Sequence, residues 1–139
     1  MVGVDAPPKG DIYLDEPWLT IWWDSSCKCV HGQWKAFATS DELRAGLMKG
    51  LEAIKHKRAT AYVSDTRAIK LIVRKDQEWL QDTWIPLATA AGLKRIALVT
   101  GAPGLGKTTV MEVVKEVDDE SFLRNFDTLA EAFTWVAKA

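Results

Sequence analysis

One stretch constrains this chain more than any other: Ile96-Ala97-Leu98-Val99, an apolar run with no polar alternation, preceded by Lys94-Arg95 and followed by Thr100. A strand with one wet face alternates apolar and polar residues, whereas an unbroken apolar strand has to be covered on both faces. This run therefore belongs at the centre of a mostly parallel sheet with helices packed on it. It is also far shorter than the ~20 residues a membrane span requires, so no span is expected.

The rest of the chain supplies the cover. Thr39-Ser40-Asp41-Glu42 has the pattern of a capping box, in which Thr39 accepts from the Glu42 amide and the Glu42 carboxylate reaches back. Leu43, Leu47, Leu51 and Ile54 then line one helical face, and Lys55, His56, Lys57 and Arg58 suit the negative end of the dipole, so the helix should stop near Arg58. Asp76 suits the N-cap of a second helix carrying Trp79, Trp84, Leu87 and Ala91 inward. Pro86 should kink it near Ile85, and Gly92 should end it. Val110, Val113, Val114 and Val117 mark a third buried face, and Thr128-Leu129-Ala130-Glu131 repeats the capping box before a last helix burying Leu129, Phe133 and Val136. Further strands are expected at 12–14, 19–23, 29–37, 60–64 and 122–126. The order is then β-β-β-α-β-α-β-α-β-α, an α/β fold with a mixed, mostly parallel sheet formed by residues 11–139, behind a flexible arm at residues 1–10 that contains Pro7 and Pro8.

The 139 residues fit one domain, and the 18 basic and 19 acidic residues leave a net charge of -1, which carries no footprint for nucleic acid. Cys27 and Cys29 are the only cysteines. Two apart in a strand they are poorly placed to bridge, so reduced thiols in a cytoplasmic protein are expected. With His31 they are zinc-ligand types, but no distant second pair accompanies them and strand alternation explains the spacing, so no metal site is expected. Of the seven tryptophans, adjacent Trp22 and Trp23 face opposite sides of a strand, which leaves one for an exposed surface and favours a protein partner or self-association.

Gly101-Ala102-Pro103-Gly104-Leu105-Gly106-Lys107-Thr108 is the sharpest motif and has the form of a phosphate loop. In that reading the amides around Gly101, Gly104 and Gly106 surround a phosphate, Lys107 neutralises it and Thr108 holds magnesium, making a nucleotide with Mg²⁺ the alternative ligand. A buried strand before the loop and an amphipathic helix after it agree. Phosphate-loop NTPases also carry a later strand ending in a magnesium-binding aspartate, and no such strand follows Thr108. The comparable run lies upstream, ending at Asp65, which demands a permuted site in which Asp65 and Arg67 meet the loop at one sheet edge.

Taken together, Val63-Ser64-Asp65-Thr66-Arg67, Asp76-Gln77-Glu78-Trp79, Trp84-Ile85-Pro86, Ala91-Gly92-Leu93-Lys94-Arg95-Ile96-Ala97 and Ala130-Glu131-Ala132-Phe133-Thr134-Trp135 resemble the STAS, or SpoIIAA-like, small bacterial domains over about residues 11–138. The resemblance implies a regulatory or binding module without catalysis of its own, acting through protein partners and needing no cofactor, with a pocket or partner surface around Asp65, Thr66, Arg67, Trp79 and Trp84. Family members that antagonise anti-sigma factors carry a phosphorylatable serine in the turn before the second helix. This chain has Thr66 there, followed by the apolar Leu71-Ile72-Val73, so that switch does not carry over as it stands.

Overall fold

The computed structural model describes residues 10–139, so the expected N-terminal arm lies outside the described residues except for Gly10. β5 (Arg95–Val99) is an interior strand buried as its composition demands, with Ile96, Ala97, Leu98 and Val99 all buried, but it lies next to the edge of the sheet and not at its centre. It lies in a six-stranded sheet whose spatial order equals its chain order, with β1 (Ile12–Glu16), β2 (Leu19–Asp24) and β3 (Cys29–Trp34) ahead of β4 (Ala61–Asp65), β5 and β6 (Leu123–Phe126). β1–β2 and β2–β3 pair antiparallel, and β3–β4, β4–β5 and β5–β6 pair parallel, so the sheet is mixed.

Because each parallel step moves to the adjacent strand, right-handed crossovers put the connecting helices on one face. α1 (Ser40–Lys57), the rod from Arg74 to Ala90 and α4 (Leu105–Val117) contribute Leu43, Leu47, Leu51, Ile54, Trp84, Ala88, Val110 and Val113 to a core shared with Val30, Tyr62, Ile96, Leu98 and Leu123. α5 (Leu129–Val136) covers the opposite face, where Ala132, Trp135 and Val136 meet Cys29, Ala61, Val63, Ala97 and Val99.

The first capping box forms, with the Glu42 amide donating to Thr39 Oγ1 at 3.2 Å and the Thr39 amide to Glu42 Oε1 at 2.9 Å. Arg58 then closes α1 in the left-handed region, at φ 50°. The second helical rod departs from expectation at both its start and its middle. α2 (Arg74–Trp79) begins ahead of Asp76, with Val73 at the cap position and no side-chain cap. Asp76 is not a cap: its buried carboxylate accepts from Ser40 Oγ at 2.7 Å and Arg44 Nε at 2.9 Å, tying α2 to the start of α1. Pro86 does not merely kink the rod. A π-helical stretch, Leu80–Trp84, precedes α3 (Ile85–Ala90), and the Ile85 amide donates to the Leu80 carbonyl five residues back. A proline has no amide and crowds the preceding turn, and the widened π turn accommodates both. Gly92 ends the rod at φ 109°.

The cysteines correct the sequence reading outright, because Cys27 and Cys29 form a disulfide. Cys27 lies in the β2–β3 turn rather than in the strand, and Lys28, at φ 55°, folds the chain back so that the two Cα atoms are 5.4 Å apart. That separation is within the bridging range, so both the reduced-thiol reading and the compartment drawn from it lose their support. No described helix is long and apolar enough to cross a membrane. The tryptophan reading changes as well. Trp22 is buried beside His31 and Trp23 is half-buried against the main core, so neither forms an exposed patch.

Candidate functional site

Parallel strands end together, so the C-terminal ends of β4 and β5 define one edge of the sheet. Asp65 pairs in register with Val99, and the next residue, Thr66, donates to the Val99 carbonyl from its amide at 2.9 Å and its hydroxyl at 2.8 Å. Thr66 is therefore buried with its hydroxyl engaged, and is not presented on a turn. Arg67 folds back onto Asp65, with Nε to Oδ1 at 2.8 Å and Nη2 to Oδ2 at 2.7 Å, a two-pronged geometry that occupies both oxygens.

The chain from 66 to 73 then crosses the glycine-rich loop, and the crossing explains two of its glycines. A Cβ on Gly101 would stand 3.3 Å from the Cβ of Arg67, and one on Gly106 would stand 2.0 Å from the carbonyl oxygen of Ile69. Thr109 secures the crossing: its hydroxyl accepts from the Ile72 amide at 3.0 Å and donates back to the carbonyls of Leu105 and Gly106. Gly104 is extended and has open space around its Cβ position.

A phosphate nest needs successive amides turned inward by alternating right- and left-handed residues. No residue from 101 to 108 has a left-handed φ. Lys107 and Thr108 line an open groove along α4 with Pro103, Gly104, Met111, Glu112 and Lys115, and neither Asp65 nor Arg67 borders it. The structure thus joins Asp65, Thr66, Arg67 and Gly101 at one edge and leaves Lys107 and Thr108 on another surface.

The two tryptophans of the rod separate likewise. Trp84 is buried, its indole N–H donating to the Leu47 carbonyl at 2.6 Å and its ring meeting Tyr62 edge-on at 5.6 Å. Trp79 is half-buried beneath the Arg44 guanidinium, 5.3 Å from the ring centre. Thr66 and Trp84 border a partly open cavity of about 70 Å³ between the sheet and the helices, which Asp65, Arg67 and Trp79 do not line.

Two features escaped the sequence reading. His31 lies under α5, stacked on Trp22 with centroids 4.1 Å apart and edge-on to Phe133 at 5.5 Å. Burial pushes its pKa down to about 4, against the pull of Asp65 and Asp24 and with a small push from Arg67, and its Nδ1 is buried without a partner among the described residues. Strand alternation alone could not distinguish it from a solvated histidine. The second feature is apolar exposure at the crossing, where Leu71, Val73 and Leu105 are 36%, 42% and 61% exposed. The run Leu71-Ile72-Val73 held that signal, since in an extended segment only Ile72 can face inward. No protein-family model, curated protein or solved structure matches the chain.

Proposed function

We propose that this chain is a non-catalytic, STAS-like binding module that regulates a protein partner through the surface where residues 66–73 cross the start of α4. The observation carrying this reading is the set of exposed apolar side chains Leu71, Val73 and Leu105 on a rigidly bonded crossing. Grouped exposed apolar side chains mark interfaces more often than scattered ones do. Lys70 and Lys75 flank them in sequence, and Lys107 lies one helical turn into α4, while neighbouring Arg74 is already paired with Glu116 at 2.7 and 2.8 Å. The fitting partner is a protein face with an apolar centre and an acidic rim.

The absence of a catalytic role is supported by how the candidate acids and bases are used. Asp65 is chelated by Arg67, Asp76 is held by Ser40 and Arg44, and His31 is packed between rings. The sequential β-α order from β3 to α5 also supports the STAS-like reading. The test is in-cell cross-linking to identify the partner, followed by titration of the purified pair. Leu71→Asp combined with Leu105→Asp is expected to weaken the complex at least tenfold with the fold intact, and added salt is expected to weaken the unmodified complex. Unchanged affinity of the double variant overturns the proposal. The competing ligand is a nucleotide with Mg²⁺ at residues 101–108. Calorimetry that finds saturable heat with ATP or GTP, abolished by Lys107→Ala, would move the function there.

A further inference from the structure

Folded interiors rarely hold a space larger than a water molecule, yet a partly open cavity of about 70 Å³, with half-buried Ile69, Leu80 and Ile85 in its lining, reaches into the main core. A water-sized group needs about 10–15 Å³ by this measure, so the space takes roughly five such groups, or a chain of a few carbon atoms. Its walls are almost wholly apolar: Leu98 from β5, Val110 and Val113 from α4, Leu47 from α1, and Leu80 and Trp84 from the rod. The last two residues bound the π-helical stretch, which therefore forms part of the cavity wall. Such turns recur at functional sites, because the extra residue displaces the wall without breaking the helix.

The polar groups in the wall are few and unequal. Thr66 has spent its hydroxyl on the Val99 carbonyl. Ser64 and Tyr62 are only 7% and 3% exposed, and both line the space. A hydroxyl bordering a space can be satisfied by whatever occupies that space. The phenol of Tyr62 extends between β3 and α1, where a Cβ on Gly32 or Gly50 would come within 3.0 or 2.7 Å of its oxygen. Ser64, shorter and on the same face of β4, is the group placed to meet a ligand.

We infer that this cavity binds a small aliphatic molecule carrying one hydroxyl, with the chain against Leu98, Val110, Val113 and Leu80 and the hydroxyl at Ser64. This goes beyond the docking surface proposed above and does not rest on it: Thr66, Ile69 and Ile72 of the same crossing line the cavity, but the exposed Leu71, Val73 and Leu105 do not. The probe is n-butanol, with 1,4-butanediol as the control of equal length that is polar at both ends, read by methyl shifts in two-dimensional NMR of the full chain. Saturable shifts confined to Leu47, Leu80, Leu98, Val110 and Val113 are expected for butanol at millimolar concentration and not for the diol. Ser64→Ala is expected to weaken butanol about fivefold, the worth of one neutral hydrogen bond. Val113→Phe, which fills the space, is expected to abolish binding, with Val110→Ile as the milder filler should the first fail to fold. Shifts that are linear in concentration or spread over the surface, or binding that survives the folded filler, overturn the inference.

Discussion

Acidification should unfold this protein partly through one side chain. His31 is neutral in the folded chain because burial between Trp22 and Phe133 holds its pKa near 4, whereas in the unfolded chain it returns to 6.5. Its folded pKa is the lower of the two, so the unfolded state binds more protons between those limits and stability falls as pH drops through that window. Above pH 6.5 the ring is neutral in both states and contributes no pH dependence. The difference of about 2.5 units, at 1.36 kcal/mol each, amounts to about 3 kcal/mol lost by pH 4, with a slope approaching 1.4 kcal/mol per pH unit in mid-window. The assay is urea unfolding from pH 8 to pH 4 on the natural chain and on His31→Phe, which keeps an aromatic ring beside Trp22 but cannot take a proton. Carboxylates titrate in both proteins and cancel in the difference, apart from the weaker coupling of Asp65 and Asp24 to the ring. The stability difference between the two proteins should therefore change by about 3 kcal/mol across the window in favour of the phenylalanine variant. A difference that stays flat to within about 0.5 kcal/mol would falsify the claim that His31 is held neutral by burial.

The glycine-rich loop makes an equally direct prediction: Gly106→Ala should destabilise by about 2–4 kcal/mol, because its Cβ would stand 2.0 Å from the Ile69 carbonyl oxygen. Gly104→Ala should stay within about 1 kcal/mol, since Gly104 is extended and unobstructed, and thermal melts of the pair check both. Asp76→Ala should cost about 2–3 kcal/mol in denaturant titration, at the lower end for a broken ion pair because Arg44 keeps partial solvent access and its place over Trp79. Cys27→Ser should lower stability by only about 1–2 kcal/mol, as the closed loop is so short, and mass spectrometry of the untreated chain should show a gain of about 2 Da on reduction.

Features that depend on neighbours within a few residues were legible in advance. The capping box at Thr39, the arrest of α1 near Arg58 and the stop at Gly92 each involve one turn of backbone, and the unbroken apolar run at Ile96 carried its two-sided burial within itself. The candidate site was less legible because the same residue types serve more than one purpose. A string of glycines announces close backbone approach without saying what approaches, and at Gly106 the neighbour is the carbonyl of Ile69. Asp76 is a cap residue by type, yet Ser40 and Arg44, 36 and 32 positions away, claim its carboxylate.

By itself, then, the sequence determined an alternating α/β chain, a strand buried on both faces and most of its helix ends, because hydrogen bonding and amphipathic spacing at short range leave few alternatives. Tertiary structure alone decided which polar groups were spent and which side chains stayed outside. Arg67 closes on Asp65, α5 seals His31, and the 66–73 crossing leaves Leu71, Val73 and Leu105 exposed. Each outcome follows from excluded volume and desolvation where distant segments pack, and no local pattern encodes which segments those will be.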